Sequence, residues 1–184
     1  ATPPARRGRV LIIAGSDPSG GAGLQADIKT VTMLGGYAMA AVTALTVQNT
    51  RGVKSVHPVD PNVIRDQIIA CLEDIGADAV KIGMIGERPA AETLRQHAPG
   101  IPMVPDPVLA ATSGGALAAP DMVPALRGLL MPLAAVVTPN ADEAAALTGL
   151  AMRAPDDLIA AGTALLADGA PAALVKGGHL EGET

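Results

Sequence analysis

The stretch Val10-Leu11-Ile12-Ile13-Ala14-Gly15-Ser16-Asp17-Pro18-Ser19-Gly20-Gly21-Ala22-Gly23-Leu24-Gln25-Ala26-Asp27 joins an apolar strand to a glycine-rich turn that opens directly into a helix. In α/β proteins, the turn between such a strand and its helix is where polar ligands bind. Glycine adopts positive φ without strain and carries no side chain, so the backbone N–H groups of this turn can approach a ligand closely. The stretch therefore predicts an α/β fold with a ligand site at its first turn.

The alternation of strand and helix continues along the chain. Strand-like apolar runs recur at residues 41–47, 79–82, 101–104, 134–137 and 172–175, with helical patterns between most of them. Runs that are apolar at consecutive positions are buried on both faces, which is typical of a parallel sheet between two layers of helices. Between Tyr37 and Val59, two strand-like runs follow each other without a helix. We expect a small β excursion or lid there.

Two helices have clear boundaries in the sequence. Asp60-Pro61 places an N-cap residue before a proline at the first helical position, and it predicts a helix that runs to about Ile75. A second helix is predicted from residues 154–157 to residues 168–169. We expect its apolar side to carry Leu158, Ile159, Leu165 and Leu166.

Composition limits the class of protein. The chain has 184 residues, of which 49% are apolar, and this fits a single domain over residues 9–184 after a disordered leader at residues 1–8. Tyr37 is the one aromatic residue and the net charge is −5, so we expect no nucleic-acid partner. No apolar run approaches the ~18 residues of a membrane span. With the single cysteine Cys71, no internal disulfide forms, and the cytoplasm is the expected location.

The glycine-rich turn matches neither common nucleotide-binding motif. A Walker A loop requires lysine directly after its last glycine, but the next lysine is Lys29. Residues 21–26 fit a loose G-x-G-x-x-A pattern of dinucleotide-binding folds. That pattern also requires an acidic residue about 20 positions later, and no Asp or Glu occurs from Ile28 to Val59. We therefore expect the turn to bind a different polar ligand.

Two polar residues near this turn are candidates for ligand recognition. Asp27 lies in the first helix and Gln48 ends the second strand. A carboxylate and a carboxamide can together match the donors and acceptors of a small polar heterocycle. The alternative is that Asp27 is solvated and Gln48 simply ends its strand, and the residue pattern alone leaves both readings open.

A second group of polar residues follows later strands. Asp106, Asn140, Glu143 and Lys176 each lie at or just after the carboxyl end of an apolar run, where ligands of open α/β sheets gather. Oxygen ligands such as Asp106, Asn140 and Glu143 could hold a hydrated Mg²⁺ beside nucleotide phosphates. Asn140 and Glu143 also fit a helix capping box, and the two roles are compatible. Lys176 could meet a phosphate, although a lysine at a strand end is common.

Six motifs in this order resemble the hydroxymethylpyrimidine/phosphomethylpyrimidine kinases of thiamine biosynthesis, a branch of the ribokinase-like superfamily. They lie at residues 14–27, 42–50, 81–84, 106–108, 138–143 and 176–179, so the resemblance covers nearly the whole chain. It implies a ribokinase-like three-layer α/β/α sandwich with a mostly parallel central sheet and a small β excursion. The implied reaction is ATP-dependent phosphorylation of 4-amino-5-hydroxymethyl-2-methylpyrimidine, and then of its monophosphate to the diphosphate.

The resemblance also implies roles for particular residues. Asp27 and Gln48 would hydrogen-bond the aminopyrimidine, in a pocket walled by Gly15, Thr46, Met84 and Val108. Asn140, Glu143 and Lys176 would face the phosphates of ATP, with Mg²⁺ held by Asp106 and Glu143. We expect the small-molecule aminopyrimidine as substrate and a homodimer as the assembly, since the helix-free Tyr37–Val59 excursion could cover the site or pair with another subunit.

The sequence departs from the family pattern at two places. Thr112 stands before Ser113-Gly114 where relatives often have lysine, and the sequence ends at Thr184 before a Gly-Thr-Gly-Cys or Gly-x-Gly-Asp segment. That segment supplies the anion hole and the residue that activates the acceptor hydroxyl. We therefore predict no catalytic residue within these 184 residues and little or no turnover by this chain alone. The alternatives are a pyridoxal or pyridoxine kinase, a sugar kinase, or a catalytically silent pyrimidine-binding module.

Overall fold

A computed structural model describes residues 7–85, 88–109 and 121–177. Its strands are β1 (Arg9–Ser16), β2 (Tyr37–Asn49), β3 (Gly52–Pro58), β4 (Ala79–Ile82) and β5 (Met103–Pro105). Its α-helices are α1 (Gly23–Met33), α2 (Pro61–Asp74), α3 (Arg88–His97), α4 (Met122–Ala125), α5 (Ala141–Thr148) and α6 (Pro155–Ala167). One π turn (Leu126–Leu130) and one 3-10 turn (Met131–Leu133) follow α4. No helix within these ranges is long and apolar enough to cross a bilayer.

The strands form one sheet in the order β3-β2-β1-β4-β5. β1 pairs in parallel with both β2 and β4, and β4 pairs in parallel with β5. β3 returns antiparallel along β2, so the predicted helix-free excursion is confirmed as a β-hairpin.

The predicted strands at residues 134–137 and 172–175 are less regular than expected. They align in parallel beyond β5 through the isolated bridges Met103↔Ala134 and Val137↔Ala173. Each segment makes isolated bridges and not a continuous strand. Pro171 directly precedes the second segment and Pro139 lies two residues after the first, and proline cannot donate a hydrogen bond to a ladder.

The core lies on both faces of the sheet. On one face, Leu11 and Ile13 of β1 belong to the large apolar cluster that contains Ile68 of α2 and Leu94 of α3. On the other face, Ile12 and Ala14 contact a smaller cluster that includes Leu24 of α1. The consecutive burial of β1 residues is the pattern predicted for a parallel sheet between two helical layers.

The two helices with sequence-defined boundaries form as predicted. The Asp60 carboxylate accepts a hydrogen bond of 2.8 Å from the backbone N–H of Asn62, which caps α2 directly before Pro61. α6 begins at Pro155 and ends at Ala167.

The predicted apolar side of α6 is partly wrong. Ala161 and Leu165 are buried, whereas Ile159 is 69% exposed and Leu166 is 47% exposed. Ala161 and Leu165 are four residues apart and share one helix face, while Ile159 and Leu166 lie away from that narrow stripe.

Candidate active site

The glycine-rich turn is organised around the buried carboxylate of Asp17. This carboxylate accepts hydrogen bonds from the backbone N–H groups of Ser19 (2.8 Å), Gly21 (3.2 Å) and Ala22 (2.9 Å), and from the Ser19 hydroxyl. Burial by itself would raise the pKa of Asp17, but these hydrogen bonds outweigh it and the pKa lies below its ordinary value. The expectation that the N–H groups of this turn face a ligand is therefore wrong for these three residues, which bind Asp17 instead.

Two further contacts fix the turn between β1 and α1. The Gln25 side chain donates to the Ser16 hydroxyl (2.7 Å) and accepts from the backbone N–H of Asp17 (2.8 Å). Gly23 has φ +56°, and a Cβ there would lie 2.3 Å from the Gly15 carbonyl oxygen. Glycine is thus required at position 23 both by its conformation and by the close approach of two backbone segments.

Beside this turn lies an open cavity with about 390 Å³ of empty space. Five of the six residues predicted to bind the substrate line it together: Gly15, Thr46, Gln48, Met84 and Val108. They come from β1, β2 and the segments that follow β4 and β5, because the carboxyl ends of parallel strands share one edge of the sheet. A concave site with a few polar groups among apolar ones suits a small ligand.

Two of the polar side chains that line the cavity, Thr46 and Gln48, lie on β2. The Thr46 hydroxyl is 3.0 Å from the Ser16 carbonyl oxygen and 3.2 Å from Oε1 of Gln48. Within the described ranges, no protein group accepts from the Gln48 amide nitrogen. Gln48 can therefore offer both donors and an acceptor to a ligand.

The sixth predicted residue, Asp27, does not line the cavity. Its carboxylate forms an ion pair of 2.8 Å with Nζ of Lys81, and Lys81 does line it. Lys81 lies in the motif at residues 81–84, but the sequence pattern gave no role for its side chain. The sequence feature that could have indicated a role for Lys81 is its place in a four-residue strand whose other residues are apolar.

A second polar cluster lies farther along the same edge. Oδ1 of Asp106 is 2.8 Å from Nζ of Lys176 and 3.3 Å from the Thr138 hydroxyl. Asn140 and Lys176 are joined by a parallel backbone bridge, which explains how residues 36 positions apart in sequence come together. The predicted cation Lys176 therefore reaches the predicted carboxylate Asp106 directly.

Asn140 and Glu143 form the predicted capping box at the start of α5. The Asn140 side chain accepts from the Glu143 N–H (2.9 Å), and Glu143 Oε2 accepts from the Asn140 N–H (2.8 Å). Glu143 is only 7% exposed, and this burial raises its pKa, an effect that the Asn140 hydrogen bond opposes. The charge of Asp106 raises the pKa further, whereas the charge of Lys176 lowers it. The site thus holds a carboxylate whose charge is only partly compensated.

Two predicted features lie outside the described residues. These are the departure at residues 112–114 and the Gly178-His179 end of the sixth motif.

An open, mostly parallel sheet with polar clusters at the carboxyl ends of its strands defines an α/β protein that binds ligands along that edge. A sequence profile of the phosphomethylpyrimidine kinase family matches residues 17–184. This match covers most of the chain, and the chain belongs to that family.

Individual relatives agree with this assignment. The chain is 48% identical over 183 residues to the hydroxymethylpyrimidine/phosphomethylpyrimidine kinase of Mycobacterium tuberculosis. The aligned region covers 97% of this chain and 65% of that relative. It therefore spans about two thirds of the relative's length.

Solved structures support the same family and fold. The phosphomethylpyrimidine kinase of Clostridium difficile superimposes with a TM-score of 0.86 at 42% identity, covering 97% of this chain and 78% of that one. An ADP complex of Bacillus subtilis pyridoxal kinase superimposes with a TM-score of 0.84 at 36% identity, covering 97% of this chain and 68% of that one. The predicted ribokinase-like α/β fold is confirmed.

Proposed function

We propose that the protein is an ATP-dependent kinase that phosphorylates 4-amino-5-hydroxymethyl-2-methylpyrimidine and then its monophosphate, for thiamine biosynthesis. The observation that carries this proposal is the convergence of five predicted substrate residues on one open cavity at the carboxyl ends of the strands. Membership of the phosphomethylpyrimidine kinase family supports the substrate class.

In this proposal, the cavity holds the pyrimidine ring. Gln48 hydrogen-bonds the ring, because its carboxamide offers both donors and an acceptor at the cavity wall. Gly15, Thr46, Met84 and Val108 pack around it. Asp27 contributes through the ion pair with Lys81.

The second cluster would handle the phosphates of ATP. Asn140 and Glu143 lie at the start of α5. The ammonium group of Lys176, which contacts Asp106 in this structure, can bind a phosphate oxygen of the nucleotide in place of that carboxylate. The ADP bound to the similar Bacillus subtilis pyridoxal kinase supports the use of a nucleotide. Because phosphoryl transfer depends mostly on positioning and charge neutralisation, a cavity for the acceptor beside a charged cluster is a suitable arrangement.

The chemistry of this cluster fits Mg²⁺. Asp106 and Glu143 supply carboxylate oxygens, and a cation would compensate the negative charge that Asp106 imposes on Glu143. Within the described ranges, no group of three or more acidic, His or Cys residues could hold a metal. Mg²⁺ commonly takes one or two carboxylates and completes its shell with phosphate oxygens and water. We therefore propose that the ion binds with the nucleotide, where it would neutralise phosphate charge.

A pyridoxal kinase is the second candidate, supported by the structural similarity to the Bacillus subtilis enzyme. Calorimetric titration of the chain with the hydroxymethylpyrimidine and with pyridoxal separates the two. We expect the pyrimidine to bind at least tenfold more tightly. Tighter binding of pyridoxal would overturn the assignment of substrate. Product analysis with MgATP, on a form of the protein that includes the Gly-Thr-Gly-Cys type segment of the family, distinguishes a kinase from a silent binding module.

We also propose a homodimer in the cytoplasm. Leu45 is 55% exposed and Val47 is 47% exposed on the outer side of the β2–β3 hairpin, and β3 is an edge strand. Exposed apolar residues beside a strand that lies at the edge of the described sheet are suited to pairing with a second copy. Light scattering should give twice the mass of one chain, and Leu45→Lys should reduce that mass to one chain.

A further inference from the structure

Lys81 introduces a charge into an otherwise apolar layer of the sheet. In β4 it pairs with Ile12 of β1 on one side and Val104 of β5 on the other. Ile12 is fully buried against the cluster that includes Leu24 of α1. The Lys81 side chain runs toward the same helix, where its Nζ lies 2.8 Å from Oδ2 of Asp27.

Stability does not account for this ion pair. Lys81 and Asp27 are only 28% and 23% exposed, so both lose hydration that their mutual attraction must repay. Replacing a buried ion pair by apolar residues of similar volume is often neutral or stabilising. An apolar pair at positions 27 and 81 would suit these surroundings, so the ammonium group calls for another reason.

The position of the Lys81 ammonium group gives a reason for its presence. Lys81 lines the same cavity as Gln48, and Asp27 is the one acceptor that the described residues give it. An ammonium group carries three donors, so two of them are available to a molecule in the cavity. Gly83 lies close to it: a Cβ at residue 83 would be 3.2 Å from Nζ, so glycine leaves the approach open.

We propose that Lys81 is a substrate-binding residue whose ammonium group donates a hydrogen bond to an unprotonated ring nitrogen of the pyrimidine. Asp27 is then a positioning residue, which orients the ammonium group from the side away from the ligand. This inference rests on the proposed function, because it takes the occupant of the cavity to be an aminopyrimidine. A charged donor strengthens a hydrogen bond to a neutral acceptor, so the contact favours a ring that contains nitrogen.

A pair of ligands tests this contact. One is the hydroxymethylpyrimidine, and the other is the benzene analogue that keeps its amine, methyl and hydroxymethyl groups but lacks both ring nitrogens. Each is titrated by calorimetry into the wild-type chain, Lys81→Met, Asp27→Asn and the matched control Lys54→Met. Lys54 is an exposed lysine on β3, so its variant loses the same charge at the surface.

We expect Lys81→Met to weaken binding of the pyrimidine at least tenfold and binding of the analogue less than twofold. Asp27→Asn should weaken binding of the pyrimidine by a smaller factor, and Lys54→Met should change neither affinity. Lys81→Met leaves the partly buried Asp27 carboxylate without its partner, so we expect a lower Tm than the wild type, and the comparison of the two ligands within each variant separates the contact from this loss of stability.

Equal losses for the two ligands would overturn the contact, since they would show a general change in the cavity. A larger loss for Asp27→Asn than for Lys81→Met would also overturn it and would make the carboxylate the direct ligand. If the wild-type chain binds pyridoxal and not the pyrimidine, the proposed function fails instead.

Discussion

Gly15→Ala should close the cavity without unfolding the protein. A Cβ at residue 15 would lie 2.3 Å from Cε of Met84, and 3.7 Å from the Ala44 carbonyl oxygen. Carbon atoms in contact are about 3.5 Å apart or more, so Cε must move by at least about 1.2 Å. Met84 is a flexible side chain that also lines the cavity, and its displacement therefore takes up space that the ligand needs.

The expected cost to folding is modest. Overpacking costs about 1–3 kcal/mol, and a flexible methionine places this variant near the lower end. The pyrimidine affinity should fall at least tenfold in calorimetry, which corresponds to about 1.4 kcal/mol, while the MgATP affinity stays within twofold. Gly128→Ala is a matched control, because a Cβ there has no neighbour within 4 Å.

A second substitution tests whether the collision with Met84 causes the loss of stability. Met84→Leu removes the Cε atom that collides, since Sδ lies 3.8 Å from the added Cβ. Gly15→Ala with Met84→Leu should therefore recover the stability that Gly15→Ala loses. Wild-type pyrimidine affinity for Gly15→Ala would refute the assignment of this cavity, and an equal fall in MgATP affinity would show a global effect.

The remaining predictions concern the turn and the phosphate cluster. Gly23→Ala should lower the free energy of unfolding by at least about 2 kcal/mol in urea titration, because φ +56° is strained for alanine and its Cβ would meet a backbone oxygen. Glu143→Gln should raise Tm at pH 7, because the raised pKa of Glu143 means that its ionised form destabilises the fold. That gain should disappear below the ordinary pKa of glutamate, where Glu143 is protonated in both the folded and unfolded states. Lys176→Met should weaken MgATP binding at least tenfold in calorimetry and leave pyrimidine binding unchanged.

The sequence was sufficient to predict the layers of the fold where a single residue pattern, such as a run of apolar residues or a helix cap, dominated a segment. Consecutive apolar residues in β1 indicated burial on both faces, and Asp60-Pro61 marked the start of α2 within one residue. Patterns failed where neighbours decide the outcome. Ile159 of α6 is apolar but lies off the buried stripe, and its exposure depends on packing that no local pattern contains.

The sequence predicted which residues lie at the candidate site better than it predicted which of them contact each other. The ends of parallel strands meet at one edge, so Gln48 and Met84 could be expected near each other. The partner of Asp17 could not be read from the sequence, because a glycine-rich turn binds an external anion or an internal carboxylate with the same N–H groups. The role of Lys81 depends on a contact between β4 and α1 across 54 positions of sequence.

The central claim is that the cavity beside the first turn binds an aminopyrimidine through Gln48. Calorimetric titration of the hydroxymethylpyrimidine and, separately, of MgATP into the wild-type chain and Gln48→Ala tests it most directly. We predict that Gln48→Ala lowers the pyrimidine affinity at least tenfold and leaves the MgATP affinity within twofold of wild type. Equal losses for both ligands, or an unchanged pyrimidine affinity, would contradict the claim.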